Sequence, residues 1–280
     1  MNFANVNNIK ICYEIQGDGY PLILVHGFGS KKETWIAQVC PLSEHFKVIA
    51  FDNRGAGKSE RPDGPYTMEI YADDISSLMD FLRIEKAHIM GCSLGGMIVQ
   101  TFVLNYPKRV NKVVLINTTY KVVGGKDDTK FSEMYVKMRL ENLELQKQDP
   151  LEAFWQTARV SYYRKFRKEM VIEPKKKFYG LWSVEDIIKQ HTIDPPTPRD
   201  IVNQANALEG FNTLERLNSI KNKVLLLTAS HDRIMPKIAS IEMLKRIPNS
   251  ELKIIDNAGH GSPKSRAPEI NRIVIDFLKH

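Results

Sequence analysis

The chain has 280 residues, 42% of them hydrophobic and 26% charged, with a formal net charge of +7. That length suits one large α/β domain with room for an insertion and a sizeable core. Three cysteines, Cys12, Cys40 and Cys92, give neither a disulfide framework nor a Cys-x-x-Cys pair, which excludes a disulfide-stapled domain and predicts reduced thiols.

The start, Met1 to Asn8, lacks the basic and apolar regions of a signal peptide, and no apolar run approaches the roughly 20 residues needed to span a bilayer. Cytoplasm is therefore the expected compartment, with no membrane partner. The positive balance does not point to nucleic acid. Arg164, Lys165, Arg167, Lys168 and Lys175 to Lys177 are interspersed with Glu169, Glu173, Glu185 and Asp186, the pattern of a solvated helical surface, and no nucleic-acid module accompanies them.

In chain order, Ile9–Ile15 reads as an edge strand ending at Gly17-Asp18-Gly19. Pro21–Val25 is a continuous apolar run, as a strand covered on both faces requires, and it leads into His26-Gly27-Phe28-Gly29. A helix through Trp35, Val39 and Leu42 precedes the strand Lys47–Phe51. The loop Asp52 to Ser59 ends in Gly-Lys-Ser, yet a P-loop needs glycine where Asp52 stands, so nucleotide binding is rejected. Thr67 caps a helix with Ile70, Ile75, Leu78, Met79 and Leu82 on one face.

The strand Ala87–Met90 then runs into Gly91-Cys92-Ser93-Leu94-Gly95 and a helix that stops before Pro107. This Gly-x-Ser-x-Gly in a strand–turn–helix setting is a nucleophile elbow: the turn is tight enough to need small residues on both sides of the serine. The next strand is Val113–Ile116. From about 121 to 207 no buried strand is expected. Helices are predicted around Phe131–Leu145, Pro150–Phe166 and Val184–Gln190, with a Pro-rich bend at Asp194–Pro198 and many aromatic rings, most of them packing the segment's own interior. The segment reads as a helical cap. A helix at Phe211–Ile220, the strand Val224–Thr228, the helix Ala239–Arg246, the strand Glu251–Ile255 and a final helix Ala267–Leu278 complete the chain. The expected fold is α/β, a mostly parallel sheet with helices on both faces, divided as core 1–120, helical cap 121–207 and core 208–280.

A serine hydroxyl needs an adjacent base, itself oriented by a third group. Asp232 follows one late strand and His260 lies in a Gly-flanked loop after the last. With Ser93, all three sit at carboxyl ends of strands, where ligands bind in open parallel sheets. His26-Gly27-Phe28-Gly29, the Asp52–Ser59 loop, Gly91 to Gly96, Asp232 and His260, in this order, resemble the α/β-hydrolase superfamily, in its capped esterase, lactonase and C–C hydrolase branch. The resemblance runs from about residue 20 to the end and is weakest in the cap. It implies Ser93 as nucleophile, His260 as general base then acid, and Asp232 as the orienting carboxylate. The backbone N–H groups of Phe28 and Leu94 would form the oxyanion hole, each donor worth roughly 3–4 kcal/mol, with His26 and Gly27 supporting their loop.

Competing assignments are weaker. His231 adjoins Asp232 on a chain whose successive side chains point apart. Asp256 is too near His260 in the same loop. The alternative acid position after the next strand holds Asn117, Thr118 and Thr119. His45, His88, His191 and His280 are read as structural or surface groups, and Cys92 as an inert core thiol. Serine at the elbow argues against dehalogenase and epoxide hydrolase chemistry, which uses aspartate there. The Gly95-Gly96-Met97-Ile98-Val99-Gln100 run is similar to enol-lactonase and carboxylesterase members. The expectation is a cofactor-free, metal-free serine hydrolase acting on a small ester or lactone. The alternatives are C–C hydrolysis, perhydrolysis, or a non-catalytic ligand-binding fold. Oligomeric state is left open.

Overall fold

The first element is a strand that the sequence reading omits. In a computed structural model, which describes residues 1–122 and 131–280, β1 (Asn2–Val6) pairs antiparallel with β2 (Ile9–Gln16). Asn7 and Asn8 join them with φ of 47° and 61°, the left-handed pair that a two-residue hairpin with strand-matching twist requires. Asparagine is the non-glycine residue best able to take that conformation. The outer place therefore belongs to β1, and β2 is not the edge strand expected.

After β3 (Pro21–Val25) the expected helix through Trp35, Val39 and Leu42 is two short pieces, a 3-10 turn at Lys32–Trp35 and α1 (Val39–Ser43). Pro41 lacks an N–H, and its ring excludes the carbonyl of residue 37 from a helical ladder; Ala37 O instead accepts from Asn271 Nδ2 at 2.8 Å. Then come β4 (Lys47–Phe51), α2 (Met68–Phe81), β5 (Ala87–Cys92), α3 (Leu94–Asn105) and β6 (Val110–Ile116). Thr67 caps α2 by accepting from Ile70 N at 3.2 Å.

Between β6 and β7 the described chain is helical: α4 (Phe131–Gln148), α5 (Pro150–Ser161), α6 (Arg164–Ile172), α7 (Val184–Thr192) and α8 (Pro198–Leu208). The single helix expected over 150–166 breaks at Tyr162 and Tyr163. The Pro-rich bend hides α8, which starts with Pro198 at its first turn and a Thr197/Asp200 capping box. Residues 123–130, at the start of the expected cap, lie outside the described residues. Lys175, Lys176 and Lys177 pair with Glu185, Glu173 and Asp186, exposed pairs that contribute little to stability. A 3-10 turn, Leu214–Ser219, stands where a helix over 211–220 was expected. The chain closes with β7 (Lys223–Ala229), α9 (Ile238–Arg246), β8 (Ser250–Ile255), α10 (Ser262–Ser265) and α11 (Ala267–Lys279).

The eight strands form one sheet in the order β1-β2-β4-β3-β5-β6-β7-β8, antiparallel at β1–β2 and β2–β4 and parallel elsewhere. The apolar runs are continuous because both faces are covered. Ile23, Val25, Ile89, Val113, Leu115, Val224 and Leu226 face a core shared with α2, α3 and α9. Their neighbours Leu22, Leu24, Met90, Val114, Ile116, Leu225 and Leu227 face the other, shared with α1 and α11. Among the described residues no helix is long and apolar enough to cross a membrane.

His88 on β5 is buried beside the rings of Tyr20 and Phe46. Burial pushes it down to about 4, and Lys112 adds to the shift. Between about 4 and 6.5 the unfolded chain therefore binds a proton that the folded chain refuses, so stability falls as pH decreases through that window. We expect His88 to account for up to about 2.5 kcal/mol lost between pH 7 and 4.5. Urea unfolding of wild type and His88→Phe at both pH values checks this; an equally steep loss in the variant would rule His88 out.

Candidate active site

Where β5 meets α3, Ser93 has φ 57° and ψ −124°, a costly conformation for a residue with a side chain. Bonds on both sides hold it. Ser93 N donates to Ile116 O at 3.0 Å, and Ser93 O accepts from Gly96 N at 2.9 Å and from Thr118 Oγ1 at 2.7 Å. The turn is possible only because its neighbours lack Cβ atoms. A Cβ on Gly91 would overlap Gly95 O, one on Gly95 would overlap Val25 O, and one on Gly96 would overlap the Thr118 side chain. The elbow is thus packed between the ends of β3 and β6, with Ser93 as N-cap of α3.

Asp232 follows β7 and His260 follows β8. His260 Nδ1 donates to Asp232 Oδ2 at 2.8 Å, while Oδ1 accepts from Ile234 N and Met235 N, both at 2.8 Å. An ionised carboxylate only accepts, so the imidazole carries its proton on Nδ1 and keeps a lone pair on Nε2. Asn117, just past β6, ties this corner together. Its Nδ2 donates to His260 O at 2.9 Å and to Ser262 Oγ at 2.8 Å, and its Oδ1 accepts from Ala229 N at 3.0 Å. Asn117 carries no acidic group, yet in the fold it clamps the histidine loop to β7. Ser93 and His260 line one cavity. Among the described residues Ser93 Oγ makes no hydrogen bond, and hydroxyl–base contacts in unliganded sites commonly close only around substrate.

The His26–Gly29 loop lies against the elbow: a Cβ on Gly27 would stand 3.2 Å from Ser93 Cβ. Among the described residues the N–H groups of Phe28 and Leu94 make no hydrogen bond, and Leu94 is the first residue of α3, where helix amides have no internal partner. His26 is buried, and burial holds it below the usual histidine range. Neutral, it donates from Nδ1 to Gly27 O at 2.9 Å and accepts from Asn53 N at Nε2 at 3.0 Å. Both ring nitrogens are committed to shaping the loop. Asp52 accepts from Lys32 N at 2.7 Å and Lys58 N at 3.0 Å, so the Gly-Lys-Ser loop wraps a carboxylate. From α8, Gln204 accepts from Gly29 N at 2.8 Å and donates to Gly55 O at 3.2 Å, a link no sequence pattern announced.

The cavity above Ser93 has a volume of about 790 Å³. It is lined by the His26–Gly29 loop, Ser93 and the His260 loop, and by residues of α4, α5, α7, α8 and the 193–196 bend. Gly261 N donates to Ser161 O at 2.8 Å, and a Cβ at Gly261 would overlap the Tyr162 ring. This contact explains the break after α5: Tyr162 leaves the helix to seat on the histidine loop. Phe166, Phe178 and Trp182 pack the segment's own interior with Phe154, while Phe154 and Tyr162 also reach the cavity. His231 turns away to Tyr163, with ring centroids 4.7 Å apart. Asp256 is exposed. Burial pushes the Cys92 thiol up to about 12, too high for a nucleophile at neutral pH. His191, read from the sequence as a structural or surface group, is exposed and lies at the rim of the cavity at the end of α7. Among the described residues no three His, Cys, Asp or Glu side chains cluster as metal ligands.

Comparison with known proteins agrees with this architecture. The family model described as alpha/beta hydrolase fold matches residues 20–265. The chain is 26% identical over 282 aligned positions to a protein of Caulobacter segnis named "Putative carbamate hydrolase RutD", covering 96% of each chain. Among solved structures it is similar to the enol-lactonase of Burkholderia xenovorans LB400, with TM-score 0.83, 23% identity and complete coverage of both chains. It is also similar to a thermophilic esterase of Thermogutta terrifontis, with TM-score 0.81, 23% identity, and coverage of 99% of this chain and 97% of the other. At these identities the structural likeness speaks for the fold alone.

Proposed function

The chain belongs to the alpha/beta hydrolase fold family, and from that premise we propose that it is a serine hydrolase cleaving carboxylic ester or lactone bonds, with Ser93, His260 and Asp232 as its triad and residues 121–207 as its cap. The observation that carries this reading is the Asp232–His260 hydrogen bond at the wall of the cavity that Ser93 lines.

In this mechanism Ser93 Oγ attacks the substrate carbonyl carbon as its proton passes to His260 Nε2. The oxygen of the tetrahedral adduct takes up the negative charge facing the Phe28 and Leu94 amides and the N-terminus of α3. The adduct collapses, the ester C–O bond breaks, and His260 returns the proton to the leaving alcohol. Water, deprotonated by the same imidazole, then attacks the acyl-enzyme and releases the acid. Asp232 holds the imidazole in the required tautomer throughout.

A carbamate substrate is a second reading, supported by the name of the Caulobacter segnis relative and its end-to-end alignment. The same serine would then carry a carbamoyl group. Labelling with a fluorophosphonate followed by peptide mass spectrometry tests the reading common to both: one covalent adduct is expected, on Ser93. An intact protein after prolonged labelling would instead favour a non-catalytic ligand-binding fold. Parallel assays on p-nitrophenyl butyrate, a lactone and an N-unsubstituted carbamate rank the bond types.

A further inference from the structure

The cavity over Ser93 carries cations that hydrolysis by a triad does not require. Lys264, on α10, points its ammonium at Thr34 Oγ1, 2.9 Å away, and among the described residues no carboxylate lies within ion-pairing distance of it. Trp182 Nε1 donates to its carbonyl at 3.3 Å and fixes the backbone beneath it. Arg139, from α4, lies over the Phe28 ring with its guanidinium carbon 5.6 Å from the centroid. One terminal nitrogen sits so close to Gly29 that a Cβ there would overlap it, and its Nε is buried with no hydrogen-bond partner. Lys31 donates to Ile193 O. All three line one cavity, with the exposed His191 at its rim.

The carboxylates near the cavity do not balance Lys264 and Arg139, since Glu33 and Asp194 act on Lys31 instead. Asp232 is committed to His260 and two amides. Asp194 faces Lys58 at 3.8 Å from an exposed position, and Glu141 is exposed at the rim. Burial pushes Lys264 down to about 8. The nearby Cys92 thiol, pushed up to about 12, stays neutral and offers it no counter-charge. Partly removing an ammonium or guanidinium from water without a counter-charge is unfavourable. In a ligand cavity that cost is recovered when the ligand brings the opposite charge. Phe154, Tyr162, Leu143 and Ile187 supply apolar wall for an organic body.

We propose that the substrate is an ester or lactone that also bears an ionised carboxylate away from the reacting bond, received by Lys264 and Arg139 with Lys31 reinforcing the field. This rests on the serine-hydrolase reading above and adds the chemical class of the substrate to it.

The test compares two matched esters at pH 7, mono-p-nitrophenyl glutarate and its neutral methyl ester, by the ratio of their kcat/KM values within each enzyme. Wild type is expected to favour the anionic ester by about tenfold or more, mainly through KM, since each 1.4 kcal/mol of added binding is tenfold. Lys264→Met and, independently, Arg139→Met are expected to cut that ratio by about tenfold, and 0.5 M NaCl to compress it. A ratio near one in wild type, or one unchanged in both variants, overturns the inference while leaving ester hydrolysis standing. If neither ester is turned over, the hydrolase reading fails separately. Isothermal titration of glutarate against dimethyl glutarate then decides the charge argument by itself. Tighter binding of the dianion, lost in Lys264→Met, upholds it, and equal or absent binding of the two overturns it. Circular dichroism of each variant shows that it is folded, and the Arg139 substitution stands in if the Lys264 variant is not.

Discussion

Replacing Ser93 by alanine is expected to lower kcat for a short p-nitrophenyl ester by on the order of a million-fold, down to the level set by the oxyanion donors and binding. The oxygen proposed to attack the substrate disappears, and nothing nearby replaces it. Cys92 adjoins it in sequence, but its thiol is held near 12 by burial, and His26 has both ring nitrogens engaged in the oxyanion loop. The change is small for the fold, because the hydroxyl makes no hydrogen bond among the described residues and alanine keeps the Cβ that packs on Gly27. The backbone bonds to Ile116 and Thr118 are untouched. A kcat within tenfold of wild type, with an unchanged unfolding midpoint, would place the nucleophile elsewhere.

Asp232→Asn is the second large effect, expected at about ten-thousand-fold in kcat with KM little changed. The amide has nearly the carboxylate's shape, but it presents a donor as well as an acceptor. The carboxylate now accepts three hydrogen bonds, from His260 Nδ1, Ile234 N and Met235 N. Two of those donors are backbone amides, and they will claim the amide oxygen, leaving its NH₂ to face the imidazole. His260 would then hold its proton on Nε2, the wrong nitrogen to accept from serine. The loss should ease at high pH as hydroxide replaces the missing base. Retention of more than a tenth of wild-type kcat at pH 7 would show that Asp232 does not set the tautomer.

Much of the frame is visible in the chain because it is written in local patterns. Pro21–Val25 and Val224–Leu227 are unbroken apolar runs since each strand is covered on both faces. The Gly-x-Ser-x-Gly spacing reports the elbow because a Cβ at Gly91 or Gly95 would overlap backbone. Other local signals are weaker. Asn7-Asn8 is a hairpin turn, and Thr197-Pro198-Arg199-Asp200 is a helix start with its capping box. The first was obscured by the polar, asparagine-rich run around it, and the second by the density of prolines.

The sequence by itself determined the parallel α/β frame and the tight turn at Ser93, because periodicity and glycine spacing act over a few residues, while Asp232 and His260 were implied only by the resemblance to α/β-hydrolases. Only the tertiary structure shows the hydrogen bond between His260 and Asp232, which depends on β7 and β8 lying side by side. It also turned Asn117 into a clamp and Gln204 into a brace for the His26–Gly29 loop, and placed Lys264, Arg139 and His191 on one cavity. Those residues come from strand ends and helices far apart in the chain. Charge and hydrogen-bond partners depend on distance in space, and a one-dimensional pattern does not carry that distance.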